Sequence, residues 1–400
     1  MNAPVKPRTT TPFDRKMAQA KKLRAEQDFE QAALLYGEAA AMLPNAKAGL
    51  FMAMCQRDAG RTEEALSSYR SYADRNPRDF DGWCGLGVLL KRLGRYEEAI
   101  GPMQRALALR DDAPARNTLI ASLWRVGRKE EAQTEGHRNL ILKHRLAQEA
   151  FEASPSKNVT VKPGGRGFDP ERRNRNIISF SLWGDRPEYI TGALVNAQIA
   201  QHLYVRWTPR FYCDTSVPQD ARDALKAYGA QVVLMTGKDD AAIRPMWRFL
   251  ASDDPDINVF VCRDADSRVN AKELLAVTDW LNSGCRFHIM RDHIYHHELI
   301  LAGMWGGMAG ILPNMRDWLR SSPKYFDNKF GDQAFLADML WPLIHRDARI
   351  HDTYYRFPKA GPFPDGYDLP GLIHVGGGTK NMPHWSNYVH LPRGTGHGDG

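Results

Sequence analysis

The sequence has few cysteines and no long apolar run. No uninterrupted apolar stretch approaches the roughly 18 residues that a membrane-spanning helix needs, and the start MNAPVKPRTTT has no apolar signal-peptide core. The five cysteines are odd in number and far apart, and they form no C-x-x-C pair of the kind found in zinc or redox sites. We therefore expect a cytoplasmic protein whose cysteines are reduced and serve in packing.

Hydrophobic residues make up 43% of the 400-residue chain, which is enough for packed cores in two or more domains. The charge is uneven, because residues 1–150 carry 25 Lys and Arg against 19 Asp and Glu, whereas residues 176–400 carry 23 against 25. A basic front half suits an acidic protein, a membrane face or another polyanion. Its basic residues are scattered among acids without the pattern of a nucleic-acid module, so we expect no nucleic-acid partner.

Four similar segments recur in the first 150 residues, namely QDFEQAALLY, GRTEEALSSY, GRYEEAIGPM and GRKEEAQTEG. They place alanines at spacings of 33, 34 and 33 residues, at Ala32, Ala65, Ala99 and Ala132. In the last three segments a glycine stands five residues before the alanine, where a left-handed residue ends a helix, at Gly60, Gly94 and Gly127. This period resembles the tetratricopeptide repeat, a helix-turn-helix unit that stacks into a solenoid.

The resemblance implies about four helix pairs over residues 13–150, after a disordered N-terminus at residues 1–12. Such arrays present a groove to a protein or peptide, although a structural role or assembly into a homo-oligomer is the alternative. Residues 151–175 are rich in proline, glycine and charge, which predicts a linker.

Beyond the linker, short apolar segments that predict strands alternate with helical stretches, which indicates an α/β sheet. In such sheets ligands bind at the carboxyl ends of the strands. Directly after the predicted strand NVFVC come Asp264 and Asp266, a D-x-D pair. Two carboxylates at this spacing can share a hard divalent cation with phosphate oxygens, although an ordinary surface turn would have the same composition.

Two later segments accompany the D-x-D pair. Gly331-Asp332-Gln333 opens a predicted helix with an acid, and the segment from His374 to Lys380 follows an H-x-x-G-x-x-K pattern. Together the three motifs resemble glycosyltransferases of the GT-A type, in particular the retaining, glycogenin-like family 8. The resemblance covers residues 176–390 and implies a Rossmann-like α/β/α domain, followed by a flexible tail at residues 391–400. It departs from the family where Asn381, rather than proline, follows Lys380.

The resemblance also implies a set of metal and phosphate ligands. Asp264, Asp266 and His374 would ligate Mn²⁺ or Mg²⁺, and Asp264 could instead meet the ribose of the donor. Lys380 would pair with the diphosphate, and Gly377 lies in a glycine run that lets backbone amides approach phosphate.

Other residues are candidates for the sugar and the nucleotide. Asp332 would lie at the reaction centre, unless it only caps its helix, and Asp292 could bind sugar hydroxyls. By fold analogy, the stretch from Ser179 to Trp183 would cradle the nucleotide base. Two arginines before the D-x-D strand would hold phosphate or simply solvate a helix, namely Arg244 and Arg248.

The sequence therefore predicts an enzyme, a metal-dependent glycosyltransferase that uses a nucleotide-sugar, with UDP as the expected nucleotide. Its acceptor would be a protein held by the repeats, or a surface polysaccharide at the membrane face. The alternatives are a non-catalytic repeat adaptor with a degenerate transferase domain and a nucleotidyltransferase. Neighbouring histidines at 293, 296 and 297 share the spacing of zinc ligands but lack a third partner in the sequence.

Overall fold

A computed structural model describes residues 10–326, 330–371 and 373–389. The chain divides into two compact units, Met1–Asn139 and Leu140–Gly400, and the division falls within helix α8. The predicted flexible tail and most of the predicted disordered N-terminus lie outside the described residues. No helix of the described residues is both long and apolar enough to cross a bilayer.

The first unit consists of helices that contact their neighbours in sequence, as the repeats predict. The eight helices up to the division are α1 (Pro12–Ala25), α2 (Phe29–Met42), α3 (Ala48–Asp58), α4 (Thr62–Arg75), α5 (Phe80–Arg92), α6 (Tyr96–Leu109), α7 (Ala113–Arg125) and α8 (Lys129–Glu152). The four repeat alanines are completely buried, because a small side chain lets the paired helices approach closely. The three turn glycines have φ between 75° and 84°, and in the first pair Gln27 takes this left-handed position with φ 64°.

The predicted linker is part of the second unit. Helix α8 continues to Glu152, beyond the predicted end of the repeats. Farther on, the Lys162 amide donates to Ile311 O at 2.8 Å, and the Asn176 side chain donates to Asp169 O at 2.7 Å. Hydrogen bonds therefore tie this segment to the sheet unit, and the division between the two compact units lies before the predicted linker.

The second unit contains a seven-stranded mixed sheet in the order β3-β2-β1-β4-β6-β5-β7. Six strands run in the same direction and β6 alone opposes them. The strands are β1 (Asn176–Leu182), β2 (Thr208–Cys213), β3 (Gln231–Leu234), β4 (Val259–Arg263), β5 (Phe287–Arg291), β6 (Trp305–Met308) and β7 (Ala348–Asp352). The mixed sheet with helices confirms the predicted α/β character of this half.

Helices connect and flank the strands. These are α9 (Pro187–Leu203), α10 (Gln219–Ala227), α11 (Ala271–Asn282), α12 (Met315–Arg320), α13 (Gly331–Phe335) and α14 (Trp341–Ile344). Strand β1 shows why two layers form around the sheet: Ile178, Phe180 and Leu182 join the apolar core with α9 and α10, whereas the alternate residues Ser179 and Ser181 bond to the 3-10 segment 238–253.

The direction in which successive strands add to the sheet reverses between β1 and β4. Strands β2 and β3 lie on one side of β1, and the chain then crosses to β4 on the other side. Connections leave such a pair of strands in opposite directions, which opens a crevice at their carboxyl ends. The loops after Leu182 and Arg263 both end at this crevice.

Candidate functional site

A cavity of about 440 Å³ lies at the carboxyl ends of β1 and β4. The loop after β1 contributes Trp183, and the loop after β4 contributes Asp264 and Asp266. Arg248 comes from the 3-10 segment, and Asp332 from the start of α13. The structure thus brings together the D-x-D pair and the D-Q acid, which are far apart in the sequence.

Arg248 is the central contact of this cavity. Its Nη1 donates to Asp264 Oδ1 at 2.7 Å, and its Nη2 donates to Asp332 Oδ2 at 3.0 Å. The arginine backbone is fixed from behind, because its N–H donates to Ser181 Oγ and its carbonyl accepts from Ser179 Oγ. The buried guanidinium of Arg248 therefore fixes the D-x-D loop relative to the D-Q motif.

The carboxylates of the cavity are held close to one another. Burial, and then the neighbouring charge of Asp264, raise the pKa of Asp266. The same two effects raise the pKa of Asp332, against the opposing charge of Arg248. For Arg248, burial alone would lower the pKa, but the two paired carboxylates outweigh it and the pKa is raised. The cavity lining has three acids, Asp264, Asp266 and Asp332, against two arginines, Arg186 and Arg248, and a cation would relieve this excess of negative charge.

Two glycines leave space for the D-x-D side chains. An added Cβ at Gly303 would lie 2.1 Å from Asp264 Oδ2, and one at Gly378 would lie 3.2 Å from Asp266 Oδ2. Gly378 also forms a bridge with Ser267, and the Thr379 amide donates to Asp266 O at 2.8 Å. The C-terminal loop therefore packs directly against the D-x-D loop.

The residues fit a divalent cation only in part. Asp264 and Asp266 supply hard oxygen ligands in one cavity, and Mg²⁺ typically takes one or two carboxylates together with phosphate oxygens. Within the described ranges, however, no three His, Cys, Asp or Glu side chains are grouped to hold a metal. The geometry suits a cation shared with a phosphate ligand, and it does not assemble the predicted three-residue set with His374.

His374 packs instead with two other histidines. Its ring stacks on His293 with centroids 4.2 Å apart and meets His296 edge-on at 5.0 Å. Burial first, and then the neighbouring imidazoles, lower the pKa of His296 well below its usual range. These rings do not form a metal group in the described part of the chain. Gly377 lies beside His374, and Lys380 is exposed.

Asp292 lies outside the cavity lining, and its carboxylate has three donors. It accepts from Lys272 Nζ at 2.8 Å, from Thr353 Oγ1 at 2.5 Å and from the Val375 amide at 3.0 Å. The structure therefore gives Asp292 a different place from the predicted sugar contact. It holds the start of the C-terminal loop, next to His374.

Ser179 and Arg244 also lie outside the cavity lining, as do His374, Gly377 and Lys380. Ser179 is on the face of β1 that bonds to the 3-10 segment and is completely buried, so it cannot cradle a nucleotide base. Arg244 pairs with Asp214 at 2.9 Å. Trp183, by contrast, lines the cavity and is partly exposed.

The sequence interpretation missed several residues of the cavity. Arg186 and Tyr189 follow β1 at the start of α9, and Phe330 precedes Asp332 with 58% of its surface exposed. Their only sequence signal is position, since each lies within a few residues of a predicted motif or strand end. The buried Asn196, which supports the D-x-D loop from the interior of α9, has no sequence signal.

Comparison with known proteins identifies the repeats. Residues 52–114 match the family model described as tetratricopeptide repeat, and this region is made of such repeats. No curated protein matches the chain. Similar solved structures include MamA MSR-1 C2, with 22% identity over 31% of this chain and 73% of that chain and a TM-score of 0.28.

Two other structures show the same level of similarity. A crystal structure of MamA protein has 21% identity, covers 34% of this chain and 76% of that one, and has a TM-score of 0.32. The MamA RS-1 ArsTM double mutant has 14% identity, covers 38% and 90%, and has a TM-score of 0.31. Similarity this weak supports no functional conclusion. The comparisons show that the N-terminal region of the chain carries tetratricopeptide repeats.

Proposed function

We propose that the second unit is a glycosyltransferase domain of the GT-A type that transfers a sugar from a nucleotide-sugar, with UDP as the expected nucleotide. The observation that carries the proposal is the meeting of the D-x-D and D-Q motifs in one cavity, where Arg248 bonds to Asp264 and Asp332. The cavity lies at the point where the sheet order reverses, which is where nucleotides bind in open α/β sheets.

Asp264 and Asp266 would hold Mn²⁺ or Mg²⁺ together with the diphosphate of the donor. The cation would supply positive charge to the departing nucleoside diphosphate, where negative charge grows in the transition state. Arg248 orients the carboxylates of Asp264 and Asp332, to which it bonds. Lys380, in the loop that packs against Asp266, would add a second positive charge on the diphosphate side.

Asp332 is the acid best placed for the transferred sugar and its acceptor. It is mostly buried, bonds to Arg248, and has a raised pKa that favours proton exchange with a hydroxyl. Trp183 and Phe330 are partly exposed aromatics of the same lining. Such side chains would stack on the planar base or the apolar face of a sugar and would keep water from the reacting bond.

The repeats would recruit the acceptor. Tetratricopeptide arrays typically bind proteins or peptides, and the basic front half would favour an acidic protein in the cytoplasm. A polysaccharide growing at the membrane face is the second acceptor class compatible with this charge. Neither reading involves nucleic acid, and self-association through the repeats is compatible with both.

Nucleotide-sugar turnover tests the proposal. The full chain is incubated with a panel of UDP-, GDP- and CDP-sugars, with and without Mn²⁺, and release of nucleoside diphosphate is measured. We expect one donor to be turned over slowly in the presence of Mn²⁺, and Asp264→Asn to reduce its turnover at least 100-fold. Asp214→Asn is the matched control, because Asp214 also follows a parallel strand but pairs with Arg244 outside the cavity lining.

The second candidate is a repeat adaptor whose sheet unit does not catalyse transfer. It is favoured by the family match, which covers only the repeats. If no donor is bound or turned over with or without Mn²⁺, and both aspartate variants behave as the natural chain, the transferase proposal is wrong and the adaptor stands. Release of pyrophosphate instead would indicate a nucleotidyltransferase.

A further inference from the structure

The backbone of the D-x-D loop is tied down at every carbonyl. Asp264 O accepts from the Ser267 amide and from Ser267 Oγ, and Asp266 O accepts from the Thr379 amide. The remaining two carbonyls, those of Ala265 and Ser267, accept from side-chain donors. Both find them in the same two residues, Asn196 and Arg268.

Asn196 uses its whole side-chain amide on this loop. Its Nδ2 donates to Ser267 O at 2.8 Å and to Ala265 O at 3.3 Å, and its Oδ1 accepts from the Val269 amide at 3.2 Å. Both hydrogens and the oxygen are thereby used, and the side chain is only 1% exposed. A side chain in the middle of a helix thus replaces the backbone partners that the turn cannot provide.

One turn earlier on α9, Gly192 lets the loop approach the helix. A Cβ at this position would lie 2.1 Å from Ala265 O and 2.9 Å from Arg268 Nη1. Residues four apart share a helix face, so Gly192 and Asn196 form one seat for the loop. Arg268 completes it, because its Nη1 donates to Ser267 O at 2.8 Å and to Ala265 O at 3.3 Å.

We infer that Asn196 is a positioning residue that holds the D-x-D loop in the conformation in which both carboxylates face the cavity. The inference rests on the proposed function, since it concerns the same cation and diphosphate site. Asp264 and Asp266 repel each other, so a loop without its clamp would turn one carboxylate toward solvent. Residues that orient the ligands of a metal commonly affect its affinity about 10–100-fold without touching it.

The sheet contains a matched control for this clamp. Asn176, at the opposite end of β1, is also fully buried and also makes three backbone bonds: its Nδ2 donates to Asp169 O and Arg206 O, and its Oδ1 accepts from the Asp169 amide. Asn176→Leu and Asn196→Leu therefore each delete two hydrogen bonds donated to backbone carbonyls and one accepted from a backbone amide. Only the second deletion lies at the D-x-D loop.

The experiment measures Mn²⁺ binding to the full chain by loss of the free-ion EPR signal, with urea unfolding in parallel. We expect both leucine variants to unfold at lower urea concentrations. Asn196→Leu should weaken Mn²⁺ binding about 10–100-fold, whereas Asn176→Leu should stay within about two-fold of the natural chain. Equal affinities in the two variants would overturn the inference and leave the proposed function intact.

Other outcomes are also decisive. If the natural chain does not bind Mn²⁺ and Asp266→Asn changes nothing, the cation site of the proposed function fails, and the inference fails with it. If Asn196→Leu does not fold, Gly192→Ala tests the same seat, with Gly101→Ala as control because a Cβ at Gly101 meets no atom within 4 Å. Reduced Mn²⁺ affinity in Gly192→Ala alone supports the clamp, and unchanged affinity overturns it.

Discussion

Strands β4 and β5 run in the same direction and both are followed by aspartate after a final arginine, yet the two aspartates differ in their surroundings. The arginines are buried and paired in the same way, Arg263 with Glu273 and Arg291 with Asp352. Asp264 pairs with Arg248 and has a side chain 41% exposed in the cavity. Asp292 has three donors and a side chain 3% exposed.

The difference lies in what each carboxylate can still bind. The local sequence Arg-Asp is the same at both strand ends, so it cannot distinguish them. Segments from elsewhere in the chain do distinguish them. Lys272, Thr353 and the Val375 amide donate to the Asp292 carboxylate, whereas among the described residues only Arg248 donates to the Asp264 carboxylate. A strand-end carboxylate is available to a ligand only where the neighbouring loops leave its lone pairs unused.

The largest expected effect is the loss of stability on removing Asp292. In Asp292→Ala, Lys272 loses its carboxylate in a mostly buried site and the Val375 amide loses its acceptor. Breaking a buried pair in this way costs about 3–5 kcal/mol in the free energy of unfolding. Urea unfolding measures it, with Asp264→Ala as comparison. Equal losses at the two positions would contradict the distinction between the strand ends.

A buried histidine pair lies on β5 and β7, next to the strand ends compared above. Its members are His288 and His351. His288 Nε2 lies 2.9 Å from His351 Nδ1, and His351 Nε2 lies 3.1 Å from Asp279 Oδ2. Burial lowers the pKa of His351 to about 4 and lowers the pKa of His288 well below its usual range. The unfolded chain therefore takes up protons more readily than the folded chain below pH 6.5.

Stability should accordingly fall as the pH drops from about 6.5 toward 4, by about 1.6 kcal/mol for His351 between pH 6.5 and 5, and His288 should add to this fall. Urea unfolding at pH 7, 6 and 5 measures this slope. The variant His288→Gln should show a shallower slope. A free energy of unfolding that is constant over this range would show that these imidazoles are not held neutral by burial.

A smaller effect of opposite sign is expected at the D-x-D loop. Because burial and Asp264 raise the pKa of Asp266, its ionised form is disfavoured in the folded protein at neutral pH. Asp266→Asn should increase stability by about 1 kcal/mol while reducing the proposed turnover, as functional sites often trade stability for activity. The gain should be present at pH 7 and vanish in acid, where the natural carboxyl is protonated.

Scanning calorimetry at pH 7 and pH 4 tests this sign. Asp264→Asn is the comparison, since it weakens a bond to Arg248 and should bring no gain. A lower melting temperature for Asp266→Asn at pH 7 would mean that Asp266 stabilises the loop. The interpretation that Asp266 is a cation ligand kept close to Asp264 despite their repulsion would then have to be abandoned.

The sequence predicts these features unevenly. The repeats follow from a period that every unit repeats, although Gln27 shows that the left-handed turn position tolerates a residue other than glycine. The D-x-D pair could be placed at the edge of the sheet because it follows a strand, whereas only the resemblance to family 8 predicts Asp332 at the same site. The roles of Ser179, Asp292 and His374 could not be predicted, since each depends on which distant segment packs against it.

Asn196 marks the limit of such prediction. It lies inside a helix among small and apolar residues, and nothing in its neighbourhood distinguishes it from a solvent-facing asparagine. Its three backbone partners belong to a loop about 70 residues away. The alternation of Ser179 and Ser181 with apolar residues in β1 indicates a polar buried face that needs hydrogen-bond partners, but it does not identify the segment that supplies them.

The smallest expected effect concerns an ion pair whose geometry is as good as that of Asp292. Arg95 Nε donates to Glu98 Oε1 at 2.6 Å in the repeats, compared with 2.8 Å between Lys272 and Asp292. Both partners of the repeat pair are exposed, so water and salt replace the interaction when it is lost. Glu98→Gln should leave the urea midpoint within experimental error at physiological salt, with Asp292→Ala measured alongside. If Glu98→Gln shifted the urea midpoint as far as Asp292→Ala, the distance between the charges rather than their burial would determine how much these ion pairs stabilise the fold. The contrast between the two strand ends would then have to rest on something other than solvent exposure.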